Sequence, residues 1–78
     1  MNIMKEILES IIKNLVSNPE AVQINEMQGQ TAIVYEVKVA EEDMGKVIGR
    51  QGRVAQAIRT IVKAIASKEQ KRVTIEFI

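Results

Sequence analysis

Gly49-Arg50-Gln51-Gly52 is the stretch of this 78-residue chain whose residue types and spacing best suit the binding of a ligand. It lies within "GKVIGRQGRVAQAIRTIVKA", residues 45–64, between two segments that both read as helical. A glycine inside a helix costs roughly 1 kcal/mol relative to alanine, so an interruption by two of them needs a reason. The chemistry that fits is phosphate binding. A helix N-terminus presents unpaired N–H groups and a partial positive charge, and a loop without side chains at its ends lets a phosphodiester approach them. Gly49 and Gly52 supply that approach, Arg50 a diffuse cation and Gln51 a neutral donor. Lys46, one turn before the loop, and Arg53, just after it, extend the set, so that Lys46, Arg50 and Arg53 are expected to neutralise about three phosphates. Val47, Ile48, Val54 and Ile58 either form a floor for bases or belong to the core, since apolar periodicity marks a core face.

The rest of the composition narrows the function further. The chain has no His and no Cys, and so lacks the usual neutral-pH base, the usual thiol nucleophile and the preferred zinc ligands. Enzyme chemistry is therefore disfavoured, and no cofactor or metal is implied. The N-terminal run "MNIMKEILESIIKNL" mixes charge with hydrophobe, which fits neither a signal peptide nor a spanning helix, so a cytoplasmic protein without membrane contact is expected. With one Tyr, one Phe and no Trp the core must be aliphatic, and there are too few rings to stack on successive bases. The formal net charge of +1 hides a segregation: residues 1–44 are strongly acidic, whereas residues 45–72 carry Lys46, Arg50, Arg53, Arg59, Lys63, Lys68, Lys71 and Arg72 against Glu69 alone. Either both halves are solvated faces, or the basic half is an anion-binding surface in acidic surroundings.

The elements that must position the loop follow from periodicity. Apolar residues at 3, 4, 7, 8, 11, 12, 15 and 16 predict an amphipathic helix that ends before Pro19. Val22, Ile24 and Glu26 alternate with Gln23, Asn25 and Met27 in a first strand, and a turn at Gln28-Gly29-Gln30 leads to a second over 31–40, with Ile33, Tyr35, Val37 and Val39 on one face. "EEDMGKVIG" reads as a short helix with acidic residues at its start. A long helix then runs to about Ser67, with Val54, Ile58, Ile61, Val62 and Ile65 expected inside and Arg53, Gln56, Arg59, Thr60 and Lys63 outside. Val73, Ile75 and Phe77 mark a last strand over 72–78. The order α-β-β-α-α-β predicts one α+β domain over residues 1–78, with a three-stranded mixed sheet covered on one face by three helices. The first strand pair is antiparallel across its tight turn, and the second is parallel across the helical connection.

"VIGRQGRVAQAI", residues 47–58, resembles the signature of KH RNA-binding domains, in which a G-x-x-G loop between two helices clamps about four nucleotides. The element order is that of the type II, prokaryotic variant, and over essentially its whole length the chain is similar to the small bacterial single-KH proteins of the KhpA type. The resemblance implies an RNA-binding set of Lys46, Val47, Ile48, Gly49, Arg50, Gln51, Gly52 and Arg53, with single-stranded RNA as ligand. It also implies a role as RNA chaperone or post-transcriptional regulator, a second KH-containing protein, KhpB, as partner, and a link to cell elongation and cell-wall homeostasis. Many KH signatures carry a bulky aliphatic where this chain has Ala55, which implies a shallower groove there. The competing reading is an assembly module, such as a homodimer, in which Ala57 and Ala64 allow close helix approach. Lys68 and Lys71 are expected to lie away from the loop.

Overall fold

The computed structural model describes residues 3–78. The doubled apolar stripe forms α1 (Ile3–Leu15), whose Met4, Leu8 and Ile12 are buried one above another while Ile7 and Ile11 lie half-buried beside them. Pro19 does more than stop this helix: its fixed φ opens a single 3-10 turn, Pro19–Ala21, which delivers the chain into the sheet.

Strands β1 (Gln23–Gln28) and β2 (Ala32–Lys38) pair antiparallel, with Ile24 opposite Val37 and Glu26 opposite Tyr35. The Gly29 N–H donates to the Ala32 carbonyl at 2.8 Å and closes the hairpin. Strand β3 (Arg72–Phe77) joins β2 in parallel, with Ile33 opposite Val73 and Tyr35 opposite Ile75, giving the order β1-β2-β3. The period of two puts Ile24, Ile33, Tyr35, Val37, Val73 and Ile75 on the face that the helices cover. Tyr35 is wholly buried, and its hydroxyl donates to Glu26 Oε2 at 2.7 Å, which satisfies the polar end of the largest core side chain. The mixed sheet and its helical cover are as the element order predicts.

The acidic run before the loop departs from expectation. Glu41–Asp43 forms its own 3-10 turn, and the helix proper, α2 (Met44–Ile48), is five residues long. The long helix α3 (Arg53–Lys68) is also rotated from its expected setting. Its buried line is Ala55, Ile58, Val62 and Ala66, whereas Ile61, expected inside, is 47% exposed. At 100° per residue Ile61 falls on the flank of that line, and the small Ala55 and Ala66 let α3 settle onto its neighbours along the alanine side instead. Ala55 is thus a core residue, and its size says nothing about the depth of a groove. The helix ends with Lys71 N–H on the Ala66 carbonyl and Gln70 N–H on that of Ser67, each at 3.0 Å, with Gln70 at φ 58° where glycine is usual.

Candidate nucleic-acid interface

The loop between α2 and α3 is a 3-10 turn, Arg50–Gly52, built on three residues with positive φ: Gly49 at 78°, Gln51 at 57° and Gly52 at 73°. The two glycines serve different ends. A Cβ on Gly49 would meet Val54 Cγ2 at 2.4 Å and the Val54 backbone nitrogen at 2.9 Å, so this glycine exists to let the chain fold tightly against the start of α3. A Cβ on Gly52 would meet nothing within 4 Å. That position is open, as an approaching phosphate requires. Gly52 is also the residue before the first turn of α3, and no side-chain hydrogen bond caps the helix there. The Gly52 and Arg53 N–H groups donate within the turn, to the Gly49 and Arg50 carbonyls, so the later first-turn N–H groups of α3 are the ones without a side-chain cap, and the positive end of this sixteen-residue helix begins at Gly52.

Arg50, Gln51 and Arg53 are exposed in and beside this loop, and Arg53 Nη2 donates to Gln51 Oε1 at 3.3 Å, which holds those two side chains together. Ile48 and Val54 are half-buried at its base. Val47 is different: it has no exposed surface, so its side chain offers nothing to a base and instead fixes α2 to the core, and Ile58 is likewise buried. Lys46 also departs from the expectation that it reaches the same phosphates. Its ammonium lies 3.4 Å from Asp43 Oδ1 and donates to Ser17 Oγ, which turns it toward the start of α2, away from the loop at the other end.

Asp43, which the sequence pattern assigned only to a helix start, is fully buried. It accepts the backbone N–H groups of Ser17 and Asn18 at 3.0 Å each and so ties the turn after α1 to the base of α2. The Ser17 N–H, then the Asn18 N–H and Lys46, stabilise the carboxylate and hold its pKa below the ordinary value, against the opposing pull of burial.

A second feature needed the tertiary structure. Arg72 and Ile78 N–H groups donate to the Thr31 and Val37 carbonyls of the β2 side, so by alternation Val73, Ile75 and Phe77 turn their backbone groups to the open edge of β3. Between that edge and α3 runs a groove of about 150 Å³, lined by Arg59, Lys63, Val73, Thr74 and Ile75. Arg59 lies 5.5 Å from the centre of the Phe77 ring and donates to the Ile75 carbonyl at 3.4 Å. A neighbouring hollow adds Lys71 and Arg72 to Lys63 along the same edge. Arg59 and Lys63, one turn apart, form the basic flank of α3, and only the docking of that flank along β3 makes them part of a groove. Lys68 lies elsewhere, beside Ile3, Glu26 and Ile65.

Comparisons with known proteins agree with the fold. A sequence model of the KhpA/KhpB KH domain matches residues 5–77. The chain belongs to the KhpA/KhpB KH-domain family. It is 61% identical over 75 residues to the RNA-binding protein KhpA of Caldanaerobacter subterraneus subsp. tengcongensis, covering 96% of this chain and 100% of that protein. Similarity extends to the RNA-binding protein KhpA of Clostridium acetobutylicum, 59% identical with the same coverage, and to that of Chlamydia pneumoniae, 52% identical over 94% of each chain. In this KH domain no described helix is long and apolar enough to cross a membrane.

Proposed function

We propose that this chain is a cytoplasmic, non-catalytic protein that binds single-stranded RNA, holding the sugar-phosphate backbone at the Gly49–Gly52 loop and laying the following nucleotides along the groove between α3 and β3. The observation that carries the proposal is the open side of Gly52, where exposed Arg50, Gln51 and Arg53 surround a helix N-terminus without a side-chain cap. Phosphates bind the loop amides and Arg50 and Arg53, and Lys63 adds a third cation along the groove. Bases meet Ile48, Val54 and the edge of β3. Readout is tolerant of sequence, because phosphate contacts carry no base information and few aromatics are present. The names of the relatives support RNA as the ligand. The resemblance extends the proposal to an RNA chaperone or post-transcriptional regulator that acts with KhpB, a pairing the joint family name supports, and that influences cell shape and wall homeostasis.

The test is titration of labelled single-stranded and duplex RNA at several salt concentrations. Three phosphate contacts give a slope of log K against log salt of about −2 on a single strand. Arg50→Asp combined with Gln51→Asp reverses the local field without touching the core and abolishes binding while the circular dichroism spectrum stays that of the parent. Undiminished binding by that folded double variant rejects the loop as the site.

One observation favours a second reading alongside the first. Ile61 is exposed, and Ala57 and Ala64 flank it on the side of α3 away from the groove. Two copies packing these small residues together form a homodimer through α3 that leaves both loops open. Sedimentation of Ile61→Lys against the parent decides it: equal masses reject the dimer.

A further inference from the structure

The buried carboxylate of Asp43 has no part in the RNA contacts proposed above, yet its surroundings govern one of the cations nearest the loop. Asp43 Oδ1 receives the Ser17 N–H at 3.0 Å and faces the Lys46 ammonium at 3.4 Å, Oδ2 receives the Asn18 N–H at 3.0 Å, and Lys46 in turn donates to Ser17 Oγ. The four groups close a ring across two elements, the turn after α1 and the base of α2. One partner of the ion pair has no exposure and the other is 49% exposed, so the negative charge is fixed in place while the lysine comes to it. The carboxylate cannot turn to water, and both of its oxygens are already committed to backbone donors that have no other acceptor within the ring. A lysine stem anchored there points toward the N-terminal end of α2. Gly49 lies six residues beyond Asp43, roughly 9 Å along a helix axis.

We propose that Asp43 withholds Lys46 from bound RNA: it is a positioning residue that fixes how many cations the loop presents, and it leaves the phosphate contacts to Arg50 and Arg53. The inference rests on the RNA-binding reading. A charge held against a buried opposite charge releases no counterion when a phosphate arrives, so it is silent in the salt dependence of binding. A charge freed from that partner is not.

The experiment is a double-mutant cycle on the full chain, reading the salt slope for a fluorescein-labelled single-stranded RNA of mixed sequence. Lys46→Met in the parent leaves the slope within about 0.2 of its starting value. In an Asp43→Asn background, where Lys46 is released, the same change makes the slope shallower by about 0.7, or roughly 2.6-fold in affinity over a fourfold change in salt. A loss of about 0.7 in the parent, or the same small effect in both backgrounds, overturns the proposal. A second arm needs neither RNA nor the Asp43 variant: carbon-detected NMR titration of the Asp43 carboxyl in the parent and in Lys46→Met. Its midpoint lies below the ordinary aspartate value in the parent and rises in the variant; an unmoved midpoint overturns the pairing. If the parent binds no RNA at any salt while that midpoint still moves, the failure belongs to the RNA-binding reading and the pair stands as a structural contact alone.

Discussion

Replacing Gly49 and Gly52 one at a time by alanine separates two kinds of glycine that the G-x-x-G spacing makes look alike. At Gly49, φ 78° and ψ 173° is a region that only glycine enters readily, and forcing a side chain there costs about 1–3 kcal/mol. The added methyl also falls 2.4 Å from Val54 Cγ2 and 2.8 Å from Val54 Cβ, an overpacking that costs about 1–3 kcal/mol more. Together these take roughly 2–6 kcal/mol from a domain whose whole stability, by its size, is on the order of 4–12 kcal/mol. At Gly52, φ 73° and ψ 15° is the ordinary left-handed region and nothing lies within 4 Å, so the cost is about 1–2 kcal/mol. Urea unfolding reads the difference as a shift in midpoint at constant slope. Gly52→Ala remains folded and loses RNA affinity, because its methyl occupies the space a phosphate would enter. Adding Val54→Ala to Gly49→Ala restores only part of the lost stability, since the contacts to the Val54 Cβ and backbone nitrogen persist. Equal destabilisation by the two alanines, or full rescue by Val54→Ala, refutes the division of labour.

Ile58→Ala lowers stability by about 2–5 kcal/mol, whereas Ile61→Ala on the exposed flank costs well under about 1 kcal/mol, and thermal melts of the two variants check the rotation of α3. Asp43 gives the fold a defined acid response. A carboxyl whose folded-state pKa lies below its unfolded value of about 3.8 stabilises the fold above that value and gives the contribution up as pH falls through the folded value. The gap in melting temperature between the parent and Asp43→Asn is therefore widest near neutrality and narrows below about pH 3.8; a gap that stays constant into acid contradicts the charged pairing. Gln70→Gly relieves a left-handed φ of 58° at the end of α3 and raises stability by about 1 kcal/mol, measured by the same urea midpoints. Lys63→Ala makes the RNA salt slope shallower by about 0.7, while Lys68→Ala leaves it unchanged.

The sequence alone determined the element order and the pairing directions of the strands. A period of two in Ile33, Tyr35 and Val37, a doubled stripe in α1 and two glycines around Arg50 and Gln51 are local signals, and local signals survive without knowledge of the packing. The glycine-flanked helix start on which the proposed anion binding rests was legible for the same reason, since it is written in consecutive residues. Other features depend on which surface each element turns to its neighbours. Ile61 left its expected place inside and Ala55, which periodicity had not assigned to the core, took one, because helical periodicity fixes the angles between residues but not the absolute rotation of the helix, which packing against the neighbouring elements decides. Lys46 was assigned to the loop by its distance along the chain, yet Ser17 and Asp43, far apart in sequence, meet around its ammonium and draw it the other way. Arg59 and Lys63 became a groove wall only when α3 lay along the open edge of β3, a neighbour that follows them in the chain but whose edge no spacing reveals.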